Sequence, residues 1–308
     1  MNENLVLSCH NLSKFFGNNQ AVKNISFQLS RGQIVGLLGL NGAGKTTTLS
    51  MICGVVPPSE GTISICNYSL RDQPIKSKEQ IGFLPDQLPL YKELTVQEYL
   101  TYCATLRRVK KNKIKEAVNY VMDRCGITAR ADQLVGQLSR GYQQRTAIAQ
   151  AIVHSPTLVV LDEPTSGLDP VQIQHIRDLI LELRKEHTVI ISTHLLYEAE
   201  LLCDRILIIH NGEILLDKEK SQLAISTPTV LVTFGHPPTL AELQNLPSIT
   251  SAQAITDTQF KITFSPLPAD SDNYNELLSH SVTHAWNILE ITRQHTNVEA
   301  VFLQLTSS

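Results

Sequence analysis

The sequence has no apolar run near the roughly twenty residues that a membrane-spanning helix needs. Its first residues, including Asn2, Glu3 and Asn4, lack the charged and apolar regions of a signal peptide. Any service to a membrane is therefore expected to pass through partners, with the chain itself cytoplasmic. The six cysteines, Cys9, Cys53, Cys66, Cys103, Cys125 and Cys203, form no CxxC pair and lie mostly in apolar segments. That pattern predicts reduced core thiols. A surplus of basic charge is also missing: the net charge of −3 gives no electrostatic case for nucleic acid or an anionic membrane surface. What remains is 308 residues with 42% hydrophobic content, enough for one large core and a smaller second domain.

The most informative segment is Gly39-Leu40-Asn41-Gly42-Ala43-Gly44-Lys45-Thr46, which fits the phosphate-loop pattern GxxxxGK[ST]. It stands between an apolar strand, Ile34–Leu38, and a helix running through Thr47, Thr48, Leu49, Met51 and Ile52 to Gly54. Glycines at 39, 42 and 44 leave backbone N–H groups free to wrap phosphate oxygens, and the helix N-terminus adds partial positive charge. Lys45 supplies a full charge for the β- and γ-phosphates, and the Thr46 hydroxyl can ligate Mg²⁺. The expected triphosphate-binding set is Gly39, Asn41, Gly42, Ala43, Gly44, Lys45, Thr46 and Thr47.

A second apolar strand, Leu158-Val159-Val160-Leu161, ends in Asp162 and Glu163. This is a Walker B pattern: Asp162 can hold Mg²⁺ through its waters, while Glu163 points elsewhere and can polarise an attacking water. Leu138-Ser139-Arg140-Gly141-Tyr142-Gln143-Gln144-Arg145 reads as a capped helix start, with Ser139 at the N-cap and Gly141 permitting close approach.

That last octapeptide resembles the LSGGQ signature of ATP-binding cassette (ABC) proteins, and the chain is similar to the ATPase subunits of ABC transporters. The resemblance implies a sandwich dimer, as a homodimer or paired cassette, in which each ATP lies between one subunit's Lys45 loop and the other's Ser139, Arg140 and Gly141. Arg140 and Tyr142 stand where the family usually has Gly and Gln. Pro164–Pro170 looks like the D-loop, which implies Asp169 at the dimer interface. Val189–Thr193 followed by His194 is similar to the strand and switch histidine that contacts the γ-phosphate. In Lys14-Phe15-Phe16-Gly17 the family places an aromatic ring under adenine, with Phe16 the candidate and Val22 padding the same pocket.

The segment Ile81-Gly82-Phe83-Leu84-Pro85-Asp86-Gln87 occupies the position of the Q-loop. Asp86 stands where the family has glutamine; it can bind Mg²⁺ directly as a hard oxygen ligand, or a shift by one residue brings Gln87 into the site. The expected metal set is Thr46, Asp162 and Asp86, with Glu163 and His194 catalytic and ATP with Mg²⁺ as cofactors.

The fold expected is α/β: a P-loop NTPase with a RecA-like parallel core, an antiparallel β region and a helical subdomain at about 92–155. The nucleotide-binding domain should span 1–225. The parallel strands are Ile34–Leu38, Ile81–Leu84, Thr157–Leu161 and Val189–Thr193, and the antiparallel ones Leu5–Cys9, Ile25–Leu29 and Thr62–Cys66. Asn211-Gly212, between Asp204–His210 and Glu213–Asp217, predicts a type I′ hairpin. The basic residues from Arg107 to Lys115 read as a solvated helix–helix turn.

Residues 228–308 are expected to form an accessory domain. Strand Val230–Phe234, helix Thr239–Leu246, strands Ile249–Ile255 and Phe260–Phe264, helix Asp272–His284 and strand Trp286–Thr292 predict a ferredoxin-like sandwich. Val298–Thr306 resembles the "LEEVFLxLT" ending of exporter-type subunits. The resemblance implies an ATP-hydrolysing exporter subunit whose dimer closure drives separate transmembrane permease subunits through the surface near Pro85–Tyr91. A soluble cassette ATPase acting on nucleic acid or ribosomes would usually carry two cassettes or a long coiled-coil insertion, and a non-hydrolysing regulator would not need both Glu163 and His194.

Overall fold

Three short runs, Ile34–Leu38, Leu158–Asp162 and Thr188–Thr193, are buried at every position. Strands of this kind are covered on both faces, which is the burial pattern of a parallel sheet between layers. The computed structural model in which they lie describes residues 4–223, 229–264, 275–294 and 302. The chain divides into two units, Met1–Lys220 and Ser221–Ser308.

The first unit opens with long strands β1 (Leu5–Phe16) and β2 (Asn19–Ser30), followed by β3 (Ile34–Leu38) and helix α1 (Lys45–Ile52). Next come β4 (Glu60–Ile65), β5 (Tyr68–Ser69), α2 (Pro74–Glu79) and β6 (Ile81–Leu84). Helices α3 (Val96–Leu106), α4 (Ile114–Arg124) and α5 (Arg140–Ile152) pack on one another and form the expected helical region. Alternation then resumes with β7 (Leu158–Asp162), α6 (Pro170–Leu183), β8 (Thr188–Thr193) and α7 (Leu196–Leu202), and the unit closes with β9 (Arg205–His210), β10 (Glu213–Glu219) and the short α8 (Lys220–Leu223).

These strands build two sheets. A six-stranded sheet has the order β10-β9-β3-β8-β7-β6, parallel except for the β9–β10 hairpin. The hairpin turns at Asn211 (φ 49°) and Gly212 (φ 83°), both left-handed as a type I′ turn requires. A four-stranded antiparallel sheet has the order β2-β1-β4-β5. One core joins the two sheets through α1: Leu7, Leu12 and Phe27 from the antiparallel sheet, Leu49 and Ile52 from α1, and Leu37, Val160 and Leu207 from the parallel sheet. Burial therefore holds α1, and the loop before it, from both sides.

Strand β1 runs seven residues past the expected end at Cys9. Its register shifts between Cys9 and Leu12, with Asn11 at φ 50°, so the in–out alternation breaks at a bulge while pairing continues. Helix boundaries follow caps: Thr95 and Glu98 form a capping box at the start of α3, and Asp169 with Pro170 starts α6. Of the basic residues after α3, Arg108 pairs with Glu79 at 3.7 Å and Lys113 with Glu116 at 2.7 Å on exposed ground. The cysteines are free, and all but Cys66 are buried. Burial pushes the Cys125 thiol up to about 12, so it stays protonated.

The second unit orders as β11 (Thr229–Phe234), α9 (Leu240–Gln244), β12 (Ile249–Ala254), β13 (Gln259–Phe264), α10 (Asn275–Thr283) and β14 (Ile288–Gln294). Its sheet has the order β12-β13-β11-β14, antiparallel throughout. Strand β14 begins two residues later than the expected Trp286. Ala285 and Asn287 are left-handed, at φ 54° and 51°, and the turn they make puts the Trp286 ring edge-on to Phe234 at 6.1 Å. Helix α9 starts one residue later than expected because Thr239 is its cap, closed by Glu242, and it ends at Gln244 with Asn245 as C-cap. The expected ending Val298–Thr306 lies outside the described residues except for Phe302, as do positions 272–274 of the second expected helix.

Candidate nucleotide site

Strands β3, β8, β7 and β6 are neighbours in that order, so the loops leaving their carboxyl ends open on one edge of the sheet. Ligands of open α/β sheets bind along such an edge. After β3, Gly44 sits at φ 109° as the N-cap of α1, and a Cβ there would come within 2.7 Å of Ala21 O. Only glycine fits that turn. Lys45 follows as the first residue of α1 and is nearly buried. Its Nζ donates to Gly39 O at 2.8 Å and Leu40 O at 3.3 Å. Thr46 is exposed and Thr47 half-buried beside it.

Strand β7 delivers the two carboxylates. Asp162 is buried; its Oδ1 accepts a short hydrogen bond from Ser192 Oγ, whose oxygen accepts from Glu163 N at 2.9 Å. Asp162 Oδ2 is buried without a hydrogen-bond partner. Glu163 is left-handed at φ 48°, a strained conformation for a residue with a Cβ that turns its side chain away from the strand direction. Its carboxylate stands between two cations or potential cations: Oε1 is 3.6 Å from Lys45 Nζ, and Oε2 is 2.9 Å from His194 Nδ1. A carboxylate only accepts, so Nδ1 of His194 carries the proton in this bond.

A cleft of ≈ 340 Å³ gathers these groups: Asn41, Gly42, Gly44, Lys45, Thr46, Thr47, Asp86, Glu163 and His194, together with Ala21 and Ser166. Gly39 contributes a carbonyl to Lys45, and Ala43 is buried behind the loop. Asp86 lines the cleft and Gln87 does not. Val22 is wholly buried in the core, and its neighbour Ala21 forms the wall. Phe16 leaves half of its surface exposed, with Lys14 Nζ 5.2 Å from its ring centre.

The signature residues line a separate cleft of ≈ 530 Å³ with Ser139, Gly141, Asp169, Val171 and His175 among its walls, and no residue belongs to both clefts. Ser139 occupies the N-cap of α5 but makes no side-chain cap bond, which leaves its hydroxyl available. A Cβ on Gly141 would meet Gln172 Cδ at 2.8 Å, so this glycine is demanded by the approach of α6 as well as by any ligand. Asp169 Oδ1 accepts from Gln172 N at 2.9 Å as the cap of α6. Arg140 turns from this cleft toward its own chain: Nη2 donates to Ser166 O at 3.1 Å, and the guanidinium covers Gly167, where a Cβ would lie 2.3 Å from Arg140 Cζ.

The residues fit a divalent metal brought in with a triphosphate. Among the described residues no group of three or more His, Cys, Asp or Glu side chains is arranged to hold a metal ion alone. The cleft instead offers the Thr46 hydroxyl and Asp86 as hard oxygen donors, and the orphaned Asp162 Oδ2 is buried in the strand next to Glu163, a set that suits Mg²⁺ shared with phosphates. Sequence reasoning passed over Ser192, which ties Asp162 to the Glu163 backbone, and Ser166, which lines the cleft. The available signal was their place: a serine near the end of an apolar strand, two residues before His194, and one three residues beyond Glu163.

This fold and cleft define a P-loop ATPase, and the comparisons with known proteins narrow the class. The model of the family described as ABC transporter matches residues 22–166. The linearmycin resistance ATP-binding protein LnrL of Bacillus subtilis is 33% identical over 305 residues, 98% of each chain. The Nod factor export ATP-binding protein I of Ralstonia nicotianae is 32% identical over 98% of this chain and 94% of its own. A solved ATP-binding subunit of an ABC transporter superposes with a TM-score of 0.65 at 31% identity, over 71% of this chain and 91% of that one. A dimeric cassette bound to ADP and phosphate matches with a TM-score of 0.63 at 26% identity, over 69% and 98%.

The chain belongs to the ATP-binding proteins of ABC transporters, and it is an ATP-hydrolysing cassette. Among the described residues no helix is long and apolar enough to cross a membrane.

Proposed function

We propose that the chain is the motor subunit of an exporter, working as a homodimer or paired cassette beneath separate transmembrane permease subunits on the inner face of the membrane. The observation that carries this reading is the division into two clefts. Lys45, Asp86, Glu163 and His194 converge on one, while Ser139 and Asp169 stand on another, as two half-sites that a second copy would complete. The relatives' names, linearmycin resistance and Nod factor export, support the outward direction.

In this reading Lys45 exchanges the Gly39 and Leu40 carbonyls for phosphate oxygens, and the loop amides cradle the same group. Glu163 accepts a proton from the attacking water, and His194 holds Glu163 Oε2 until nucleotide arrives. Thr46 and Asp162 hold Mg²⁺, with Asp86 as a further oxygen on the metal side. The metal, when bound, neutralises charge on the phosphates. Phe16 offers its open face to adenine, with Val22 shaping the pocket from the core. Ser139, Arg140 and Gly141 meet the partner's nucleotide, Arg140 after releasing Ser166. The second unit, ferredoxin-like in its strand order, serves dimerisation or regulation.

The test is whether a neighbouring gene encodes a polytopic membrane protein, followed by co-expression of the two. Co-purification of the two, with ATP turnover altered in the complex, is expected. A chain that hydrolyses ATP yet never associates with that partner overturns the transport role.

A further inference from the structure

The ladder between β7 and β8 ends at the pair Asp162–Ser192. Glu163 and His194 both lie beyond it, so the β7–β8 backbone pairing does not fix the distance between them. Beyond the bond from Glu163 N to Ser192 Oγ, the two segments are joined by a buried carboxylate on α7. Glu198, only 2% exposed, accepts from Thr165 Oγ1 at 2.7 Å and from Thr193 Oγ1 at 3.3 Å, both on the same oxygen, Oε2. Thr165 is two residues past Glu163, and Thr193 immediately precedes His194. Thr193 Oγ1 in turn accepts from Leu195 N at 3.0 Å, so both chain neighbours of His194 hang from one network.

The second oxygen, Oε1, is buried with no hydrogen bond, and its counter-charge is Arg177 on α6, with Nη2 at 3.5 Å. Arg177 is itself anchored over the Tyr197 ring at 5.3 Å, and its Nε is buried without a partner. Burying a carboxylate this incompletely bonded is costly. What it supplies is one oxygen that takes two hydroxyl protons while the other faces Arg177; an amide would have to turn its donating NH₂ either to the threonines or to the Arg177 cation.

We propose that Glu198 is the positioning residue for the catalytic pair: through Thr165 and Thr193 it sets the separation of the Glu163 and His194 loops where the β7–β8 ladder no longer reaches. The inference rests on the roles given above to Glu163 and His194. Glu198 is buried and does not line the nucleotide cleft, so its effect is on geometry. Displacement of a catalytic group by about 1 Å can cost about 10²-fold in rate, so a loosened pair lowers turnover while leaving the phosphate loop to bind.

The experiment compares Glu198→Gln, Thr165→Val and Thr165→Ser in the full chain, measuring kcat and KM for ATP, affinity for a non-hydrolysable ATP analogue, and Tm. A fall of about tenfold or more in kcat is expected for Glu198→Gln and Thr165→Val, with analogue affinity within about twofold of the parent. Thr165→Ser restores the hydroxyl and should restore kcat. The double variant Glu198→Gln/Thr165→Val should be no slower than Glu198→Gln alone, because both remove one linkage.

If Glu198→Gln does not fold, the Val and Ser pair at Thr165 decides. Variants with lowered Tm but unchanged kcat at a permissive temperature overturn the proposal and leave Glu198 a fold-stabilising group. So does a Thr165→Ser protein as slow as Thr165→Val. Glu163→Gln run alongside separates the two readings: normal turnover there sinks the base assignment, whereas a dead Glu163→Gln beside a normal Glu198→Gln sinks only the positioning role.

Discussion

Glu163 Oε1 stands 3.6 Å from Lys45 Nζ, so the residue assigned to the attacking water leans on the residue assigned to the phosphates. The two compete with nucleotide for each other, and they act at different stages. Lys45→Ala should abolish ATP binding. Glu163→Gln should preserve or tighten it while slowing hydrolysis by about 10²-fold or more. Nucleotide-binding titrations and phosphate release read the two separately, and the Gln variant should accumulate as an ATP-bound dimer on size exclusion. Near-normal turnover in Glu163→Gln would remove Glu163 from the mechanism.

Ser139 supplies the test of composite sites. Its hydroxyl is uncapped in a cleft that shares no residue with the phosphate loop. Ser139→Arg should leave ATP binding to the subunit nearly intact and abolish most hydrolysis. Mixed with Lys45→Ala, it should regain partial activity, since each heterodimer then holds one intact pair of half-sites. Heterodimers that form and stay inactive would count against the arrangement.

Asp86 and Gln87 separate on Mg²⁺ response. Because Asp86 faces the cleft and Gln87 does not, Asp86→Ala should raise the Mg²⁺ concentration for half-maximal hydrolysis, with Gln87→Ala unchanged. Asp86→Gln should act as a partial substitute, its amide oxygen still accepting a hydrogen bond from a metal-bound water. The reverse pattern would shift the loop register by one residue.

His154 predicts acid lability. Its Nε2 donates to Ile81 O at 3.0 Å, and its Nδ1 is buried without a partner. Burial, aided by the charge of Arg107, pushes its pKa from 6.5 down to about 4. The unfolded chain therefore takes a proton below pH 6.5 that the folded chain refuses until about 4. Stability from this group is full above the upper value and falls through that window, approaching about 1.4 kcal/mol per pH unit. Burial lowers His187 in the same direction. His154→Gln keeps a donor for Ile81 and should flatten the pH slope of the urea midpoint; an unchanged slope would place the acid sensitivity elsewhere.

The sequence exposed those parts of the site that are local in the chain. The phosphate loop, the Asp162–Glu163 strand end and His194 each sit at the end of an apolar run, and parallel pairing then brings the ends together. What stayed hidden depends on approach in space. Nothing in the spacing of Thr165, Thr193 and Glu198 states that one oxygen serves both threonines. Nothing in the chain order says that Gly167, with no side chain, gives Arg140 a place to lie against Ser166 O. The bulge near Asn11 broke the alternation by which the far half of β1 would have been read. Short elements such as β5 and α2 carry too few residues to show a period.

Two clefts without a common residue also set how the protein responds to its own abundance. On the composite-site reading a lone copy lacks a finished reaction chamber, so at low concentration the rate should grow with the square of the amount of protein. Dilution would then silence the cassette without any inhibitor. Tethering two copies to one membrane complex would remove that dependence, and ATP consumption would be confined to places where the permease has already gathered them.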